Sequence, residues 1–151
     1  VVFDWNQAIR TGAMKMALGD QLGHDTGQVT GTRVLPPTEQ GEARVEVSFE
    51  SRGRLLDEEV VDMGTYVSVL GSDGVLRGEG QGCTMSGDGE TVVWTGTGVG
   101  RLLNDGATSF RGAIFYRGAS ATFARLNKIA AVFEYDADAS GKTETKVYEW
   151  K

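Results

Sequence analysis

The sequence predicts an all-β domain, a single eight-stranded antiparallel barrel with an N-terminal helix, and three observations carry that expectation. Turn formers recur along the chain at Pro36-Pro37 to Gly41, Ser51-Arg52-Gly53, Ser72-Asp73-Gly74, Gly87-Asp88-Gly89, Asn104-Asp105-Gly106 and Ala139-Ser140-Gly141. Such segments turn because Gly accepts positive φ while Asp or Asn bonds its own backbone. The residues between them are rich in Val, Thr and aromatics, which suit a pleated surface. Finally, the 22 glycines among 151 residues alternate with Val, Thr, Trp and Tyr rather than with Ser and Gln, so they mark strands and not a linker.

The elements follow in order. Asp4 and Gln7 have capping-box spacing, Ile9, Ala13, Met16 and Ala17 share a helical face, and Gly19 and Gly23 are stop signals, which predicts a helix over about 5–18. From Gly27 onwards the pattern predicts strands at about 28–35, 43–50, 55–70, 75–85, 90–103, 108–118, 128–136 and 143–150. Ser120 to Asn127 reads as a short helix between two of them. Eight strands with short connections form an up-and-down sheet, and closing that sheet removes its edges. The expected division is a helical arm over 1–26 and the barrel over 27–151.

Composition excludes several functions. The length suits one domain with its own core, and no apolar run reaches the roughly 20 residues of a membrane-spanning helix. A lone thiol, Cys83, makes no internal disulfide, and a lone imidazole, His24, builds no multi-histidine metal site. We therefore expect no metal and no cofactor, and a cytoplasmic protein. A net charge of −6 argues against nucleic acid as a partner. His24-Asp25 reads as a glycine-flanked surface loop, and Asp57-Glu58-Glu59 as a solvated strand end.

The turns also predict register. Centring one hairpin on Asp88 and the next on Asp105 pairs Gly78 with Gly98, Gly82 with Trp94, and Trp94 with Tyr116. A four-residue loop at Gly71–Gly74 would pair Val67 with Gly78 and Met63 with Gly82. One face then carries Val61, Met63, Val67, Val69, Leu76, Trp94, Phe110, Ile114 and Tyr116 around a glycine patch. The other carries Tyr66, Arg77, Glu79, Gln81, Thr95 and Arg111, with Tyr66 across from Glu79. A one-residue slip in any turn swaps the faces beyond it.

Function depends on which face is inward. With the apolar face inside, the glycines leave a hollow unless bulky residues fill it. The expected function is then binding of a small, mostly apolar organic molecule by Met63, Trp94, Phe110, Ile114 and Tyr116. With the polar face inside, Glu79 and Tyr66 become an acid–base pair, Arg111 stabilises an anion, and Gln81 and Thr95 orient a substrate. That alternative is a cofactor-independent cyclase or isomerase whose outward apolar face is buried in a homo-oligomer. A structural or interaction module without ligand is the third class.

The strands Gly78-Glu79-Gly80-Gln81-Gly82 and Thr95-Gly96-Thr97-Gly98-Val99-Gly100, with the strand count, make residues 27–151 resemble the small barrels of the allene oxide cyclase and dirigent type. The resemblance implies an eight-stranded barrel with an apolar cavity holding a few polar groups, and metal-free steering of cyclisation or coupling. It also implies a trimer in preference to a dimer. No catalytic residue carries over by motif.

Overall fold

A computed structural model describes residues 17–151. Eight strands form one closed antiparallel barrel in sequential order: β1 Leu18–Leu35, β2 Ala43–Leu55, β3 Glu58–Leu70, β4 Val75–Ser86, β5 Thr91–Leu102, β6 Thr108–Arg117, β7 Ala130–Ala137 and β8 Lys142–Trp150. Closure comes from β1, which pairs with both β2 and β8. The barrel is as expected, but the N-terminal helix is not part of the described fold. Residues 5–16 of that expected helix lie outside the described residues, and the chain enters β1 at Leu18, in the helix's last predicted turn. Among the described residues the only helical segment is a 3₁₀ turn at Ala124–Lys128, inside the stretch expected to be a short helix.

Five hairpins share one turn. At 38–42, 71–75, 86–90, 103–107 and 138–142 the first residue's N–H bonds the fifth residue's carbonyl, and the fourth residue, always Gly, bonds back to the first. Gly41, Gly74, Gly89, Gly106 and Gly141 all have φ between 78° and 86°, the left-handed region Gly enters without steric cost. This five-residue turn explains where the predicted register holds and where it fails. Gly78↔Gly98, Gly82↔Trp94 and Trp94↔Tyr116 all pair as expected. At 71–75 the bulged Gly74 adds the residue that a four-residue loop omits, so Ser68 faces Gly78 and Gly64 faces Gly82. The slip turns β3 over. Met63 faces out at 46% exposure, Tyr66 faces in opposite Gly80, and Asp62 is buried.

The expected turn at Ser51-Arg52-Gly53 is continuous strand. Gly53 serves close approach, since a Cβ there would sit 2.1 Å from the His24 carbonyl oxygen. The reversal comes at Leu56-Asp57, whose φ values of 49° and 66° make a two-residue loop of the kind that favours Gly. Asp57→Gly is accordingly expected to stabilise the protein by about 0.5–1 kcal/mol. The readout is a higher urea midpoint with an unchanged slope, and a lower midpoint would count against it.

The interior is packed with rings. Phe49, Tyr66, Trp94, Phe110 and Tyr135 form one connected cluster with centroids 5.4–6.5 Å apart. The segment between β6 and β7 adds Phe123 and Leu126, 1% and 0% exposed, to the same core. Asn127 fastens this segment by donating to the Gly118 carbonyl and accepting from the Gly118 N–H.

Candidate functional site

The apolar face is inward. Trp94, Phe110, Ile114 and Tyr116 are buried, and they line a cavity in the barrel's interior. Of the five glycines lining it, Gly78 lies under Phe110, and Gly96 and Gly98 lie under Phe133. The hollow expected from missing side chains is thus largely occupied by rings. What remains measures about 80 Å³. That is roughly half of an engineered cavity of about 150 Å³ that takes benzene.

The cavity wall is overwhelmingly apolar, with a polar belt at one level. Asp25 on β1, Asp62 on β3, Thr84 on β4 and Thr145 on β8 form it, with Ser51 on β2 and Thr143 on β8 buried at neighbouring register positions. Register explains the convergence, because Ser51 pairs with Asp62, Asp62 with Thr84, and Asp25 with Thr145. Asp62 is the centre of the belt, at 8% exposure. Its Oδ1 accepts from Thr84 Oγ1 at 2.7 Å and from Trp94 Nε1 at 2.8 Å. Nothing among the described residues donates to its Oδ2. Burial pushes the Asp62 carboxyl up to about 6, Trp94 and Thr84 restrain the rise, and the Asp25 carboxylate adds to it. Burial likewise raises Asp25, against the pull of Ser51, Thr145 and His24.

Three atoms in or beside the belt, Asp25 Oδ1, Ser51 Oγ and Thr143 Oγ1, are buried without a hydrogen-bond partner at proper geometry. Three phenols border the same space. Burial is the largest cause of the raised pKa of Tyr66, Tyr116 and Tyr135, so all three stay neutral donors. Arg54 stands at the cavity's edge and donates to the Asp57 carbonyl in the adjacent turn.

The remaining expected site residues lie elsewhere. Glu79, Gln81, Thr95 and Arg111 are exposed on the outer wall, and Arg111 is paired with Asp136 at 3.0 Å. Tyr66 is separated from Glu79 by the barrel wall, because the β3 slip places it opposite Gly80. His24-Asp25 is strand rather than loop. His24 points out to Glu144 at 2.8 Å, while Asp25 points into the cavity. Asp62 was the residue sequence reasoning missed. Its signal was a carboxylate between Val60-Val61 and Met63 in an otherwise apolar strand.

No protein-family profile matches the chain, and no curated protein matches it either. Solved structures do. A protein of unknown function from Clostridium acetobutylicum superposes with a TM-score of 0.75 at 11% identity, over 87% of this chain and 98% of its own. A β-barrel-like protein from Acinetobacter baumannii gives 0.74 at 12% identity, over 89% and 95%. An enzyme from Penicillium herquei gives 0.64 at 13% identity, over 91% and 99%. The likeness is one of fold. It establishes an eight-stranded antiparallel barrel shared with distant neighbours. Among the described residues, no helix is long and apolar enough to cross a membrane.

Proposed function

We propose that this barrel binds a small, mostly apolar organic molecule in its lumen. The supporting observation is the inner cavity itself: Trp94, Phe110, Ile114 and Tyr116 supply an apolar wall, and Asp62 with Thr84 supplies an orienting polar point. Few polar groups in an apolar hollow is the usual make-up of a small-molecule site. The volume favours a ligand of a few heavy atoms, or one that displaces a ring on entry. The resemblance to allene oxide cyclase-type barrels, and the likeness in fold to an enzyme from Penicillium herquei, keep catalysis in view. With Glu79 and Arg111 facing solvent, an acid–base reading would rest on Asp62 instead. The homo-oligomer expectation depended on an outward apolar face formed by Trp94, Phe110, Ile114 and Tyr116. Those side chains are inside, so that argument falls away.

The chain has three tryptophans, so a Trp5→Phe, Trp150→Phe variant leaves Trp94 as the sole indole. Small apolar compounds are expected to change its emission saturably. If no member of a broad panel does so, the binding reading fails.

A further inference from the structure

The lumen has a definite electrostatic character. Two carboxylates, Asp25 and Asp62, reach the cavity, and the phenols beside them are neutral. Among the described residues, the one basic side chain at the cavity, Arg54, already donates to the Asp57 carbonyl. His24 is turned outward onto Glu144. Among the described residues, therefore, no cation neutralises Asp62. A buried carboxylate is costly unless it is paired, and neutral donors meet only one of its oxygens.

The surroundings add a second preference. Trp94 binds Asp62 directly, and Phe49, Tyr66 and Tyr116 complete an aromatic wall around the same space. Aromatic faces attract cations through the ring quadrupole, more strongly when water is excluded. Carboxylate and rings thus favour the same kind of guest. The unpartnered Asp25 Oδ1 supplies a further acceptor at the cavity.

We infer that the occupant of the lumen is a small organic cation, an apolar amine bound as its ammonium form with the N–H donors directed at Asp62 Oδ2. The inference rests on the lumen-binding reading and adds the chemical class of the ligand. An anionic or purely hydrocarbon guest would leave the Asp62 charge unpaired. An ammonium restores the pairing and places its apolar stem against Trp94, Phe110 and Ile114. A guest of about five heavy atoms suits the volume.

The test compares n-butylamine, protonated at pH 7.5, with n-butanol, which has the same number of heavy atoms. Binding is followed by NMR at the Trp94 indole N–H, the group that donates to Asp62, so surface attraction to an acidic protein does not register. The amine is expected to bind at least about tenfold more tightly, the gap between a charge-assisted and a neutral hydrogen bond. Asp62→Asn keeps an acceptor for Trp94 and Thr84 but removes the charge. It should abolish the preference for n-butylamine over n-butanol. If n-butanol binds as tightly as n-butylamine, the cation inference is overturned and lumen binding stands. If the preference survives Asp62→Asn, Asp62 is not its source and the inference is likewise overturned. If neither compound shifts the Trp94 signal, while apolar compounds change Trp94 emission, only the inference fails. If nothing reaches Trp94, both readings fail together.

Discussion

Asp62→Asn is expected to stabilise the barrel at pH 7.5 by roughly 2–3 kcal/mol, and by almost nothing below about pH 4. The sign follows from linkage. Asp62 has its carboxyl raised from 3.8 to about 6 in the folded protein. Between those two values the folded state holds a proton that the unfolded state has released, so stability falls as pH rises through the window. Above the folded value the penalty is complete and constant. Asparagine keeps an oxygen for Trp94 Nε1 and Thr84 Oγ1 and removes the buried charge. For a domain of this size the gain corresponds to roughly 4–12 °C in Tm at neutral pH. Asp25, raised by burial, bends the wild-type curve in the same direction. Asp73, Asp138 and Glu144, lowered by Arg77, Ser140 and His24 respectively, bend it the opposite way. The difference between variant and wild type cancels Asp73, Asp138 and Glu144 and reports Asp62 together with its repulsion of Asp25, and equal melting temperatures at pH 7.5 would refute its buried ionisation. A gain in stability coupled to loss of amine preference is the trade-off expected where a costly charge is kept for binding.

The second large effect lies in the glycine wall. Gly82→Ala is expected to destabilise by about 3 kcal/mol or more, an overpacking cost at the upper end of its usual range. A Cβ at Gly82 would meet Trp94 ring atoms at 2.3 Å and the Met63 carbonyl oxygen at 2.6 Å. The ring is locked by its bond to Asp62, and the carbonyl belongs to a paired strand, so neither yields easily. Gly96→Ala on the neighbouring strand is the control. Its nearest contacts would be the Ala113 carbonyl oxygen at 3.5 Å and Phe133 at 3.6 Å, ordinary van der Waals distances. We expect a change within about 1 kcal/mol, because Ala costs less strand entropy than Gly. Chemical denaturation of the two variants separates the accounts. Similar losses at both positions would mean that the glycines serve the strands in general and not the seating of particular rings.

These two sites show how much could be read in advance. The glycine patch was legible, since alternation placed Gly78, Gly80, Gly82, Gly96 and Gly98 on one face with Trp94, Ile114 and Tyr116. The rings that cover it were not. Phe133 comes from β7, outside the strands whose register the turns predict, and the folded barrel brings it over Gly96 and Gly98. Asp62 was hidden by a single residue of register. The 71–75 turn contains the same bulged glycine as the turns centred on Asp88 and Asp105, and counting it alike would have turned β3 to its true face. Asp25 was concealed for another reason: Gly23 and Gly27 looked like loop glycines. In the barrel Gly27 lies against β2, where a Cβ would stand 2.1 Å from the Glu50 carbonyl oxygen.

Turn signals and alternation along the chain specify the number of strands, six of the seven connections and the registers of β4 with β5 and of β5 with β6. Those features depend on turn chemistry and side-chain alternation over a dozen residues, which are local and additive. The closed barrel is what turns Trp94, Phe110, Ile114 and Tyr116 inward and Glu79 and Arg111 to water, and it brings Asp25 and Asp62 to one cavity. Inside and outside are properties of the closed sheet. Each strand contributes one small step of register, and it is their sum around the ring that brings β1, β3 and β8 to the same level of the lumen.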